Sequence, residues 1–177
     1  MIVKQPTIDM LDELIFISKL IWGKDAATKY SMRKRIELFP EGFGVVFVDN
    51  KIAGFSSSAR LSLTHQVDEY YSSFEPWEKV HNPDGQILYF YNTQVHPSFR
   101  NRGIWRTLNE FRINYATRNP KIKKIWSVGR ISGDEYGPAT APIIDRMGFR
   151  RIKDLPERVG GPMEWRLFEL LPPYKIR

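Results

Sequence analysis

Apolar residues at Leu11, Leu14, Ile15, Ile21 and Trp22 recur at close to 3.6-residue spacing behind Thr7, which predicts an amphipathic helix after a short strand opening at Ile2–Val3. A weaker helical pattern through Met32, Ile36 and Phe39 occupies 27–39, and Pro40 with Gly42 stops it. The period then changes. Phe43 to Val48 is a continuous apolar run, Asp49-Asn50 supplies turn chemistry, and Lys51 to Leu61 returns as a second strand, so a hairpin is expected. Residues 62–86 have no clean period, and a connection of that length points to a functional loop or an inserted helix, a candidate lid over substrate. Ile87 to Val95 is rich in β formers and ends at Pro97, which has no N–H to donate to a ladder. A helix is predicted over 103–117, with Ile104, Leu108, Phe111 and Tyr115 on one face. A strand over 121–128, a short helix over 138–147 stopped by Gly148, and strands over 149–153 and 163–170 complete the chain. No segment repeats. The 177 residues suit one domain over 1–177, with 62–86 as an insertion.

Composition removes several function classes. No apolar run approaches the roughly 20 residues that span a bilayer, so no membrane partner is expected. Met1 to Pro6 lack the apolar core and small-residue cleavage site of a signal peptide, and the expected compartment is the cytoplasm. There is no cysteine, and His65, His81 and His96 lack the spacing of a metal motif, so neither a thiol nucleophile nor a metal is expected. The net charge of +7 raises nucleic acid, membrane surface or a smaller anion as partner. Its distribution narrows the choice. Arg100 to Arg130 holds nine basic residues against Glu110 alone, whereas Ser62 to Gln86 holds Asp68, Glu69, Glu75, Glu78 and Asp84 against Lys79. No recognised nucleic-acid motif accompanies the basic stretch.

The stretch from Val95 to Arg106 carries the most specific chemistry: a strand end, a basic turn and a helix start. Main-chain N–H groups in a helix's first turn have no intrahelical acceptor, and the helix dipole adds about half a positive charge there, which together suit a phosphate. Gly103 allows close main-chain approach, and Arg100, Arg102 and Arg106 add attraction and bidentate donors. Taken alone, these features fit a solvated Arg-rich turn as well as an anion site.

The order Val95-x-Pro97, Arg100-x-x-Gly103, then Ile104 and Leu108 resembles the central motif of the GNAT acyltransferase superfamily. Lys51-Ile52-Ala53-Gly54-Phe55 is similar to the family's second hairpin strand, and Arg146-Met147-Gly148-Phe149 to its ending Lys-Leu-Gly-Phe. The resemblance implies an α/β (α+β) fold with a mixed, mostly antiparallel sheet of six or seven strands, flanked by helices and splayed between strands 4 and 5. It implies acetyl-CoA or another acyl-CoA as co-substrate, with the amides of Asn101, Arg102, Gly103, Ile104, Trp105 and Arg106 on the pyrophosphate and Arg100 beside them. It further implies that the main chain at Thr93 and Val95 pairs with the thioester carbonyl and pantetheine. A primary amine, on a small molecule or peptide, would attack the carbonyl directly. A base would take its proton, an acid would protonate the thiolate, and the Thr93 amide would be a one-donor oxyanion hole.

Departures from the family pattern bear on the catalyst. Trp105 stands at the motif's last Gly or Ala, Ile144 at the position of a frequent acid Tyr, and Gly137 at that of a frequent Asn. Tyr91 and Tyr136 are the substitute acids to consider, and Glu135, with Glu75, Glu78 and Asp134, supplies carboxylates for a base. His96 is of a residue type suited to proton transfer, but a structural role next to Pro97 is the expectation. Tyr70, Tyr71, Phe74 and Trp77, interleaved with acids, could receive a cationic amine or cap a hydrophobic edge. An N-acyltransferase, most simply an N-acetyltransferase, is the leading expectation. An acyl-CoA-binding sensor that has lost catalysis and a basic nucleic-acid-binding module are the alternatives, and a homodimer stays open.

Overall fold

A computed structural model describes residues 1–64, 77–133, 138–155 and 165–175. In chain order the elements are β1 (Ile2–Lys4), α1 (Leu11–Trp22), α2 (Lys29–Leu38), β2 (Phe43–Val48), β3 (Lys51–Leu61), α3 (Trp77–Val80), β4 (Ile87–Val95), α4 (Ile104–Arg118), β5 (Lys124–Arg130), α5 (Ala141–Arg146), β6 (Arg150–Leu155) and β7 (Trp165–Leu170). The strands form a seven-stranded sheet in the order β1-β2-β3-β4-β5-β7-β6. β1 with β2, β2 with β3, β5 with β7 and β6 with β7 are antiparallel, and β4 with β5 is parallel. This is the mixed, mostly antiparallel sheet expected. The parallel ladder runs from Ile87↔Lys124 to Phe90↔Ser127, the first four residues of each strand.

The chain forms two compact units, one of 1–59 with 91–115 and one of 60–90 with 116–177. In the first, Asp49 and Asn50 take left-handed conformations (φ 50° and 61°) and close the β2–β3 hairpin where the sequence places it. Val46 pairs with Gly54 but Phe47 with Ile52, so Ala53 is an extra residue in β3. Its carbonyl accepts the N–H of His96, 2.9 Å away. Leu11, Leu14 and Ile17 of α1 and Met32 and Ile36 of α2 pack on Phe55 and its neighbours, while Ile104 and Leu108 of α4 pack on Val46 and Ala53. Ile17 belongs to the α1 stripe although the spacing argument passed over it. Thr7 precedes a short 3-10 turn at Ile8–Met10 and makes no capping hydrogen bond; Thr28 caps α2, accepting from Ser31 N at 3.1 Å.

In the second unit β5 begins at Lys124 rather than 121, because Asn119 and Pro120 hold a turn closed by Ile122 N–H on Asn119 O at 3.0 Å. α5 starts at Ala141 rather than 138, since Thr140 is tied to Arg130 by bonds of 2.9 and 3.1 Å in both directions. Glu169 on β7 is buried. Burial pushes its pKa up, but the hydrogen bonds from Arg150 and Trp126 and the charge of Lys124 outweigh that and hold it below the usual range. His81 stacks on buried Trp77 at 4.5 Å, and its Nδ1 accepts the Arg60 N–H at 3.1 Å. Burial, and then the Arg60 charge, lower its pKa from 6.5 to about 4, so the ring is neutral at pH 7. Among the described residues no helix is long and apolar enough to cross a membrane.

Candidate functional site

The site of interest in the first unit is built where β4 gives way to α4. His96 caps the turn that follows: its Nδ1 accepts the Ser98 N–H at 3.2 Å, which fixes the ring against Phe99 and gives it the structural role expected from its place beside Pro97. Pro97–Phe99 is one 3-10 turn, after which Asn101 (φ 62°) and Gly103 (φ 76°) both adopt left-handed conformations. Asn tolerates that region and Gly enters it without cost, so the residue choice at both positions follows from backbone shape. A Cβ added at Gly103 would meet nothing within 4 Å. The turn is therefore open on that side.

Gly103 O accepts Thr107 N–H at 3.0 Å, the first intrahelical bond of α4. Helix geometry then leaves the N–H groups of Ile104, Trp105 and Arg106 without acceptors inside the helix, beside the positive end of a 15-residue dipole. Arg100, Asn101, Arg102, Gly103 and Arg106 are exposed, Trp105 is half-buried, and Ile104 is buried in the core as the anchor of the turn. The three arginines are not equivalent. Arg106 is paired with Glu110 at 2.8 Å, Arg102 lies over the Phe99 ring at 5.5 Å, and Arg100 stands at the turn's entrance.

On β4, Thr93 and Val95 are half-buried, and Val95 packs against the Ile104–Leu108 cluster. The Arg35 guanidinium lies 4.6 Å from the centre of the Tyr91 ring. Thr93 is held by a residue the sequence reading passed over. Arg112, 1% exposed, donates from Nη2 to Thr93 Oγ1 at 2.6 Å and to Asn109 Oδ1, and from Nη1 to Asn92 O at 3.0 Å and Ser57 O at 3.3 Å. Asn109 in turn donates to Trp105 O at 2.7 Å, which links the first turn of α4 to the end of β4. The signal was present in the spacing, since 104, 108 and 112 share one helix face and the third is an arginine.

Other expected residues fare differently. Trp77 is fully buried against His81, so it is a core residue and not an aromatic surface for an amine, and Glu78 is half-buried on α3. Tyr136, Glu135, Asp134, Gly137, Glu75, Tyr70, Tyr71 and Phe74 lie outside the described residues. Ile144 is buried and approaches β5 so closely that a Cβ at Gly129 would lie 2.8 Å from its Cδ1. The basic stretch is thinner than its sequence suggests, because Arg112 and Arg130 are both buried. Among the described residues no group of three or more His, Asp or Glu is placed to hold a metal ion.

No family model matches the chain. The probable hydrolase YhcX of Bacillus subtilis (strain 168) is 28% identical over 130 residues, which cover 68% of this chain and 24% of that protein. The chain thus spans far less than half the length of that curated relative. Solved structures match over almost the whole chain. The GNAT-like decarboxylase GphF, in complex with isobutyryl-CoA, aligns with a TM-score of 0.78 at 19% identity, covering 97% of this chain and 99% of that one. The loading GNATL domain of CurA from Lyngbya majuscula aligns at 0.76 and 18% identity, covering 96% of each chain. Arabidopsis thaliana NAA60 in complex with acetyl-CoA aligns at 0.72 and 15% identity, covering 96% of this chain and 98% of that one. With the strand order, the four-rung parallel ladder and the left-handed turn into α4, these matches give the chain the GNAT fold.

Proposed function

We propose that the chain is an acyl-CoA-dependent N-acyltransferase, most simply an acetyltransferase, that moves the acyl group to a primary amine by direct attack. The observation that carries this reading is the left-handed Asn101–Gly103 turn, open above Gly103, which leads into the N–H groups of the first turn of α4 beside exposed Arg100 and Arg102. Those amides, from Asn101 to Arg106, take the pyrophosphate of the substrate, and the two arginines add long-range attraction. The main chain at Val95 pairs with pantetheine and the Thr93 N–H receives the thioester carbonyl. Attack by the amine forms a tetrahedral centre whose oxyanion the Thr93 N–H stabilises, and collapse expels the CoA thiolate. Tyr91, Tyr136 and Glu135 are the side chains we assign to proton transfer. The acceptor is a small molecule or peptide, and the compartment the cytoplasm.

A second reading is favoured by Ile144. Its buried aliphatic side chain stands where the family resemblance puts an acid for the departing thiolate. Decarboxylation of a carboxyacyl-CoA leaves the thioester intact and expels no thiolate, the enolate left by loss of carbon dioxide taking a proton at carbon from water, and GphF carries that activity in its description.

Two measurements test these readings. Acetyl-CoA at a hundred times its Kd should raise the melting temperature by about 5 to 10 °C, since that occupancy is worth about 2.7 kcal/mol and each kcal/mol moves a chain of this size by about 2–4 °C. Free thiol released from acetyl-CoA across a panel of amines supports the transferase. Loss of carbon dioxide from a carboxyacyl-CoA without thiol release supports the second reading. Stabilisation by CoA with neither reaction would identify a sensor, and oligonucleotide binding at physiological salt without any CoA effect would overturn the whole assignment.

A further inference from the structure

Side chains hold the Asn92–Thr93 peptide of β4. Ser57 N–H on β3 donates at 2.9 Å to the side-chain Oδ1 of Asn92, and Ser57 Oγ donates to the same oxygen at 2.8 Å. The main-chain carbonyl of Asn92 instead receives Arg112 Nη1 at 3.0 Å, and that same nitrogen reaches Ser57 O at 3.3 Å. The guanidinium is thus inserted between two strands' carbonyls, with Nη2 anchored on Thr93 Oγ1 and Asn109 Oδ1. Ile104 and Leu108 on the same helix face are apolar, so a guanidinium set on the Asn92 carbonyl calls for an explanation beyond packing.

The geometry of the peptide unit supplies one. The Asn92–Thr93 bond is trans, so the Thr93 N–H points opposite to the Asn92 C=O. The carbonyl faces Ser57 and Arg112; the N–H therefore leaves β4 by its other edge. A cation on the oxygen of an amide draws electron density from its nitrogen and makes the N–H a stronger donor, the cooperative effect seen along hydrogen-bonded chains.

We propose that Arg112 is a positioning residue that polarises the Asn92–Thr93 peptide, so that the Thr93 N–H acts as a charge-assisted donor to the thioester carbonyl of a bound acyl-CoA. This rests on the reading above in which Thr93 takes that carbonyl, and it adds a source of strength for a one-donor oxyanion site. Asn92 serves the same end, because its side chain takes over the bond to Ser57 N–H and leaves its main-chain oxygen to Arg112. Thr93 Oγ1 and Asn109 fix the guanidinium plane from the other side.

The test is infrared difference spectroscopy of acetyl-CoA labelled with carbon-13 at the thioester carbonyl, bound to the full chain and to R112M and R112K. In the wild type the carbonyl stretch should lie below its value in water. In R112M it should return at least half of the way, and in R112K, which keeps a charge but loses the fork, by less. Turnover with any amine that serves as acceptor should fall about tenfold in kcat for R112M, a fraction of the effect of deleting an oxyanion donor outright, with KM for acetyl-CoA within about threefold of wild type. A packing role alone would lower stability and leave the stretch of bound ligand unmoved. A wild-type stretch equal to that in water overturns the proposal even where neither variant folds, and so does a stretch unmoved in a folded variant. Failure of acetyl-CoA to bind the wild type at all, seen as no thermal stabilisation, overturns the acyl-CoA reading itself, and this proposal with it.

Discussion

Replacing Gly103 separates two demands that the turn makes on one residue. Its φ of 76° lies in the region that costs an L-residue about 1–2 kcal/mol, whereas a Cβ there would touch nothing within 4 Å. The penalty of G103A therefore comes from backbone strain and not from a clash. Alanine also narrows the unfolded ensemble, but that gain of about 0.4–1 kcal/mol requires a native conformation it can adopt without strain, so the net loss should be about 1 kcal/mol. For a chain of this size that lowers the melting temperature by about 2–4 °C. Asparagine tolerates the left-handed region, as Asn101 does two residues earlier, so G103N should lose about half as much. Affinity for CoA should rank differently. The open space above Gly103 is where the pyrophosphate is proposed to approach, so both side chains should weaken CoA binding, the larger Asn at least as much as Ala. Urea denaturation gives the first ranking and titration calorimetry with CoA the second. Wild-type stability in G103A would refute the strain argument, and wild-type CoA affinity in G103N would refute the placement of the phosphates.

Two further outcomes concern the second unit. The unfolded chain binds a proton at His81 near pH 6.5 and the folded chain only near 4, so its contribution to stability is complete above pH 6.5 and is lost progressively as the pH falls toward 4. Because the ring is partly exposed, solvent screening reduces the effect to about 1–2 kcal/mol, read as a pH-dependent difference in urea midpoints between wild type and H81N, whose amide oxygen can still accept the Arg60 N–H; parallel pH profiles would contradict it. In G129A the new methyl would lie 2.7 Å from the main-chain nitrogen of Ala141 and 2.8 Å from Ile144 Cδ1, so α5 must move off β5. A loss of about 2–3 kcal/mol, or roughly 5–10 °C in thermal melting, is expected, and an unchanged melting temperature would show that the contact yields freely.

The parts of this fold that were legible in the sequence are those whose cause is local. Asp49-Asn50 dictates a tight left-handed turn whatever surrounds it, and the β2 and β3 boundaries follow to the residue. Pro97 ends a ladder and Gly103 permits a left-handed turn before a helix, so β4 and the start of α4 were likewise readable. Boundaries slipped where a turn inside an apparently regular pattern was discounted, as at Asn119-Pro120 before β5, and where a distant bond decided the helix start, as Arg130 does for Thr140. Trp77 shows the limit of composition: an aromatic among acids reads as a surface for a cation, yet stacking on His81 places it in the core.

Arg112 marks the same limit from the other direction. Its neighbours along the helix face, Ile104 and Leu108, are core residues, and a charged residue continuing an apolar spacing is ordinarily discounted as a breach of the pattern. Long charged side chains on such a face can often reach water with their heads, so the spacing marks position 112 without telling whether its head is buried. Burial to 1% exposure excludes that escape and forces the guanidinium to find acceptors within the protein. Besides Asn109 on the same helix, those acceptors lie 19, 20 and 55 residues away, at Thr93, Asn92 and Ser57, and only the folded chain brings these together. A polar residue at apolar spacing is thus a question the sequence poses and the fold answers. Here the answer joins the helix that opens on the proposed phosphate site to the strand proposed to hold the thioester.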